Sequence, residues 1–458
     1  MKQASKSMAA AALGIGSILG LALSAEAQVV VNMGGASAGT PFATEVPLNL
    51  CDGPPAALPN HYVNGPMGSP TITTGKLHVW TCTRGGSSII IRYSATGSSD
   101  GVKKLQQPEA NALSNMNFLN HTALTGCTGP TLKTRPSDSK QYNEYTGCTN
   151  GPISLPVNVG WSDVGGSSFG QTGPITTIVK ALDDSQLVST QAAIVPFSFV
   201  MGNGVQKVTG GTVQGKVTSL SHYQVEALLS RQVTDWRQLG LGTATVNADG
   251  SAAAVGTAAD PTSPVSLCLR TAGSGTKAAL DQTVMLTATE TPAGSTVLTN
   301  PADGVYFGTS NQDVADCIVG NTAASRPAHT KAFGYMEADQ ASVLVDSPAV
   351  GVAKGYEVRM DGFKARDLAL ANPKENLVCG KWKYWVGERI NTRNPASADA
   401  ATNTLILDLI ANASDPNTIN ILPAGAFWTA PGTMNVFKNA DKGPVNFKTT
   451  PLPSTCLN

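Results

Sequence analysis

Arg270-Thr271-Ala272-Gly273-Ser274-Gly275-Thr276 is the stretch on which the reading of this chain turns. It follows Pro264-Val265-Ser266-Leu267-Cys268-Leu269, a short apolar run of strand character, and it precedes Lys277 to Met285, whose apolar residues have helical spacing. A strand that passes through a Gly/Ser/Thr turn into a helix can hold an anion. Gly273 and Gly275 let backbone approach a ligand, Ser274 and Thr276 supply hydroxyls, and the first helical N–H groups lack a partner within the helix. Arg270 adds a planar donor fork that matches a tetrahedral oxyanion. Taken alone, the same residues would also serve as a capped helix start with an Arg in a surface pair.

Three further stretches repeat the pattern. Val29-Val30-Val31-Asn32-Met33 reads as a strand running into Gly34 to Pro41, and Ser88 to Ser94 as a strand followed by Gly97 to Gly101 and a helix from Val102. Pro156 to Asp163 is strand-like and ends on a carboxylate. Further strands are expected over Ala192–Met201, Phe333–Ala338 and Tyr384–Gly387, and helices over His222–Ser230 and Ala400–Ala411. Trp236, after a helix, is expected in the core. Residues 108–155 read as a long loop, and 240–262 and 290–330 as loops with short edge elements. Strands alternating with helices indicate α/β with a mainly parallel sheet, in which strand C-termini converge on one crevice.

The first 27 residues have the form of a secretory signal, with Lys2 and Lys6, an apolar run from Met8 to Leu23, and Ala25-Glu26-Ala27 at the cleavage site. No Cys follows to take a lipid, and a periplasmic or secreted location is expected. Removing Lys2, Lys6 and Glu26 from 31 basic and 31 acidic residues leaves 29 and 30, so the remaining chain is close to neutral. With no Lys/Arg block and no aromatic-basic pattern, nucleic acid is excluded as a partner. Eight Cys, an even number in an exported chain, indicate disulfides. Pairing of sequence neighbours is the simplest assignment, namely Cys51–Cys82, Cys127–Cys148, Cys268–Cys317 and Cys379–Cys456, although spacing leaves other connectivities open. The five His are scattered and nothing resembles a CxxC pair, so no metal and no other cofactor is expected.

With these segments in order, the chain resembles the periplasmic phosphate-binding proteins of phosphate ABC transporters. The resemblance is carried by the Gly-Gly-Ala-Ser turn from Gly34, Tyr93 through Gly101-Val102-Lys103, Trp161-Ser162-Asp163, Ile194–Val200, Thr234-Asp235-Trp236, Arg270 through Thr276, and Gly334-Tyr335-Met336-Glu337. It implies a two-lobed periplasmic-binding-protein-like fold (type II), with residues 28–195 and 335–458 in one lobe and 196–334 in the other. It also implies a binding set of Ser37, the backbone at Ala38, Ser98, Asp163, Arg270, Ser274, Gly275 and Thr276. Phosphate or a similar oxyanion would be the ligand, a transporter permease a further partner, and a monomer the expected state. Ala272 departs from the family, which has an acidic residue there to orient the Arg. Two other readings stay open: a secreted phosphatase-like enzyme, against which no nucleophile elbow or His partner is found, and an extracellular scaffold that has kept the fold without the ligand.

Overall fold

The β-branched runs at Val29 and Ile89 become the middle of a sheet. In the computed structural model, the residues described are 28–53, 57–64, 77–149, 152–169, 171–172, 178–179, 181–286, 304–321, 325–346, 353–448 and 453–457. Residues 1–27, where the expected signal falls, lie outside them. Strand β1 (Val29–Gly35) leads through a 3-10 turn into helix α1 (Thr40–Leu50), and strands β2 (Asn60–Val63), β3 (Leu77–Arg84) and β4 (Ser87–Ala95) precede helix α2 (Ser98–Leu105). Val31 pairs with Ile91 in the parallel β1–β4 ladder, and Val31 and Ile89 to Ile91 are all buried, as suits central parallel strands covered on both faces.

The chain then forms β5 (Thr128–Thr134), β6 (Gln141–Thr146), β7 (Val159–Ser162) and the 15-residue β8 (Val188–Gly202). Helix α3 (His222–Leu229), β9 (Ser266–Arg270), α4 (Gly275–Leu280), β10 (Val305–Gly308), α5 (Asn311–Val319), β11 (Ala332–Glu337) and α6 (Ala338–Ala341) follow. Last come β12 (Gly355–Met360), β13 (Trp385–Thr392) and α7 (Ala400–Ser414). Along the large sheet the order is β10-β9-β11-β8-β13-β7-β1-β4-β3-β2-β6-β5, with β12 pairing on β8 off this path.

Two groups are parallel: β7, β1 and β4 on one side, and β10, β9 and β11 on the other. The antiparallel strands β8 and β13 join them. Val188 to Pro196 of β8 pair with β13, Phe197 to Met201 with β11, and Phe199 to Gly202 also with β12. Pro196 stands where the partner changes, a position at which a missing N–H costs little. From Ala192 onward β8 is buried throughout, so its run of apolar residues reads as continuous rather than alternating. A single hydrophobic cluster spans both groups, from Val31 and Trp161 to Leu269 and Phe333. Trp236 lies in it, fully buried.

Two expected loops contain structure. Within 108–155, β5 and β6 form a hairpin, β6 joins β2 in parallel, and Asn115–Phe118 pairs with Ile153–Pro156. β5 is exposed at six of its seven positions, so it shows no hydrophobic alternation to read. Within 290–330 lie β10 and α5, the latter started by a capping box between Ser310 and Asp313. The strand expected over Pro156–Asp163 is also shorter, beginning at Val159.

The disulfides are Cys51–Cys82, Cys127–Cys148, Cys268–Cys317 and Cys379–Cys456. Cys268–Cys317 ties β9 to α5 across a sequence separation of 49. Replacing both residues by Ser should lower unfolding stability by about 4 kcal/mol on the loop-entropy scale, measurable by urea denaturation.

Candidate functional site

The four loop ends singled out in the sequence fall into one buried region. Asp163 follows the last residue of β7, Ser98 opens α2, and Ser274 to Thr276 open α4 after β9 has delivered Arg270. Ser98 Oγ donates to Asp163 Oδ2 at 3.1 Å. A Cβ placed on Gly275 would stand 2.1 Å from that same oxygen and 2.2 Å from Ser98 Oγ, so only glycine allows this approach. The turns are also joined through backbone, with Ser99 N–H donating to the Gly273 carbonyl at 3.3 Å.

Arg270 is 4% exposed. Its Nη1 donates to Thr276 Oγ1 at 3.1 Å and to Asn311 Oδ1 at 2.6 Å, and its Nη2 to the Thr309 carbonyl at 3.2 Å. Asn311, the first residue of α5, therefore orients the guanidinium in place of the carboxylate absent at Ala272. The Tyr335 hydroxyl accepts from the Arg270 backbone N–H at 3.3 Å. Arg270 Nε and Asp163 Oδ1 are buried and form no hydrogen bond with an N–H, hydroxyl or carbonyl among the described residues.

The remaining expected residues are placed as follows. Ser274 caps α4, its hydroxyl accepting from Lys277 N–H at 3.3 Å. Thr276 engages Arg270 through its hydroxyl, while its carbonyl accepts from the Tyr384 hydroxyl at 3.0 Å. Ser37 donates to Glu337 Oε1 at 3.0 Å, and Ala38 beside it is fully buried. Ser37 thus reaches the region through Glu337, which the sequence reading quoted only as part of a matching segment.

Three buried acids besides Asp163 belong to this region: Glu337, Asp339 and Glu388. Burial first, then the charges of Asp339 and Asp163, push the Glu337 carboxyl up to about 8, against the opposing effects of Asn311 and Arg270. Burial raises Asp339 to about 6 and raises Asp163 as well, the latter opposed by Glu388, Ser98 and Arg270. Glu388 is held well above the carboxylate range by burial and then by the Asp163 charge. Among the described residues no three His, Cys, Asp or Glu side chains are placed to hold one metal ion, and no helix is long and apolar enough to cross a membrane.

Asn311 and Glu388 were missed from sequence. The Ser310-Asn311-Gln312-Asp313 capping box was the available signal for Asn311, whereas Glu388 carried none. His61 and His78, scattered in sequence, meet across β2 and β3 at 3.1 Å, both buried.

For an acid whose folded value exceeds its unfolded one, stability is full below the unfolded value and is lost as pH rises through the folded value. The ligand-free protein should therefore lose stability between pH 4.5 and about 8. Glu337→Gln should flatten that slope in thermal unfolding scans across pH, and an unchanged slope would mean that Glu337 is ionised throughout.

No protein-family model and no curated protein matches the chain. Among solved structures it is similar to a phosphate ABC transporter substrate-binding protein with bound phosphate from Clostridium perfringens, at 13% identity over 88% of this chain and 99% of that one, TM-score 0.42. It is similar to an ABC-type phosphate transport receptor from Vibrio cholerae, at 10% identity over 88% and 100%, TM-score 0.41. PstS from Borrelia burgdorferi is similar at 11% identity over 88% and 98%, TM-score 0.37.

Proposed function

We propose that this chain is an exported solute-binding protein that takes phosphate, or a tetrahedral oxyanion like it, between two lobes and does no chemistry on it. The observation that carries the reading is the pair of open valences at one place: Arg270 Nε and Asp163 Oδ1, of opposite charge, buried and unpartnered around the first turn of α4. A buried donor and a buried acceptor left open each cost about 1–3 kcal/mol, a cost that a ligand filling both would remove. In this reading residues 28–195 with 335–458 form one lobe and 196–334 the other, with β8 and β11 as the crossovers. The ligand is held by Ser37, the Ala38 backbone, Ser98, Asp163, Arg270, Ser274, Gly275 and Thr276. The protein works outside the inner membrane as a monomer, and a transporter permease is the partner that would receive the ligand.

Asp163 gives the discrimination. A carboxylate facing an anion repels it unless the anion carries a proton to donate, which phosphate does near neutral pH and sulfate does not. Calorimetric titration of the phosphate-stripped protein with phosphate, sulfate, arsenate and molybdate tests the reading. Phosphate should bind at micromolar concentration or tighter, and no heat at millimolar phosphate would end the proposal. Arg270→Ala should weaken binding about 10- to 100-fold, the worth of one charge-assisted bond. Asp163→Asn should raise sulfate affinity relative to phosphate.

A further inference from the structure

Glu388 has no part in the binding set above, yet it lies against the residue that gives the set its selectivity. β13 pairs with β7 through Arg389↔Ser162, so one further step of the same register sets Glu388 opposite Asp163. On its other side Glu388 pairs with Ala193 of β8. Glu388 is 0% exposed and Asp163 2%. Among the described residues no N–H or hydroxyl donates to either oxygen of Glu388 or to Oδ1 of Asp163. Two ionised carboxylates opposite each other on a sheet are destabilising, and burial makes the repulsion strong. One proton shared between them removes the repulsion, and because a carboxylate oxygen has two lone pairs, Asp163 Oδ1 keeps one for a proton brought by a ligand.

The charge stays with Asp163, because Ser98 donates to it and Arg270 acts on it. The cation acting on Glu388 is Arg389, whose guanidinium is directed to Asp441 at 2.9 Å. The other groups facing the pair are Glu337, whose Oε1 accepts from Ser37, and Tyr93, whose hydroxyl donates to the Ala36 carbonyl.

Resting on the oxyanion reading, we propose that Glu388 is a specificity-determining residue. In its protonated form it donates to Asp163, holds the pair at one negative charge, and thereby makes the site accept an oxyanion that brings a proton of its own. The proton stays on Glu388 during binding, and the ligand's proton is donated to Asp163. Ionisation of Glu388 at alkaline pH adds a second charge that repels every anion.

The test is Glu388→Gln, which keeps a neutral donor but removes the ionisation. The infrared difference between the parent and Glu388→Gln at neutral pH should contain the carbonyl stretch of a protonated buried carboxyl, a band distinct from that of Glu337, and Asp163→Asn, where the acceptor changes, should shift that same band. Phosphate affinity of Glu388→Gln should match the parent within about threefold at neutral pH, while at alkaline pH the parent should fall about tenfold further than the variant. A tenfold gain of affinity in Glu388→Gln at neutral pH would mean that Glu388 is ionised there and would overturn the proposal, as would superimposable pH profiles. Should the variant not fold, the Asp163→Asn band shift decides alone. A parent that binds no oxyanion yet shows the band fails the oxyanion reading, whereas a parent that binds phosphate without the band fails this inference alone.

Discussion

A guanidinium that is 4% exposed is the constraint around which this region is built. A buried charge needs both hydrogen-bond partners and a counter-charge, and removing either leaves a cost of several kcal/mol. Arg270 takes three partners from two short pieces of chain: Thr276 from its own turn, and the Thr309 carbonyl and Asn311 from the start of α5. α5 must therefore sit at a fixed distance from β9. The Cys268–Cys317 bond and the capping box of Ser310 and Asp313 both hold it there. The counter-charge comes from the opposite parallel group, as Asp163 at the end of β7.

Bringing Asp163 to that place requires the two groups to touch at their turns. Gly275 allows carboxylate and hydroxyl to stand where any side chain would be, and the Ser99-to-Gly273 hydrogen bond sets the approach through backbone alone. The sheet reaches the same result by another route. β13 lies between β7 and β8, so the strand that joins the two groups also carries Glu388 to the position opposite Asp163. A change in β13 register by one residue would turn Glu388 away and put Arg389 in its place, because successive side chains alternate faces.

The parts legible in sequence were those with local causes. The β-branched runs at Val29 and Ile89, the apolar run of β8 and the Gly/Ser turns after β4 and β9 each state their own conformation. The acid after β7 could be singled out because it ends a strand. Asn311 was hidden because the residues before it, Gly308-Thr309-Ser310, read as loop, and its role depends on a guanidinium 41 positions away. Glu388 was hidden more deeply, since its neighbour is set by the pairing of two strands more than 200 residues apart. The region 108–155 failed for a different reason: an exposed strand such as β5 has no buried face to impose alternation on its residues.

The charges present decide what kind of selectivity such a site can have. Counting Arg270 as positive, Asp163 and Asp339 as ionised, and Glu337 and Glu388 as neutral acids at neutral pH, the immediate surroundings carry no excess positive charge. An anion is then not drawn in by excess positive field, unlike in a site lined with several Lys or Arg. On the proposed oxyanion reading, binding comes from directional bonds, each worth about 1.5–3 kcal/mol when charge-assisted, and those bonds include one that runs from ligand to protein. A ligand with oxygens but no proton fills Arg270 Nε and still faces Asp163 across a repulsive contact. A ligand with both would fill the donor and the acceptor together, so on the proposed reading the proton on the ligand, more than its charge, determines what such a site holds.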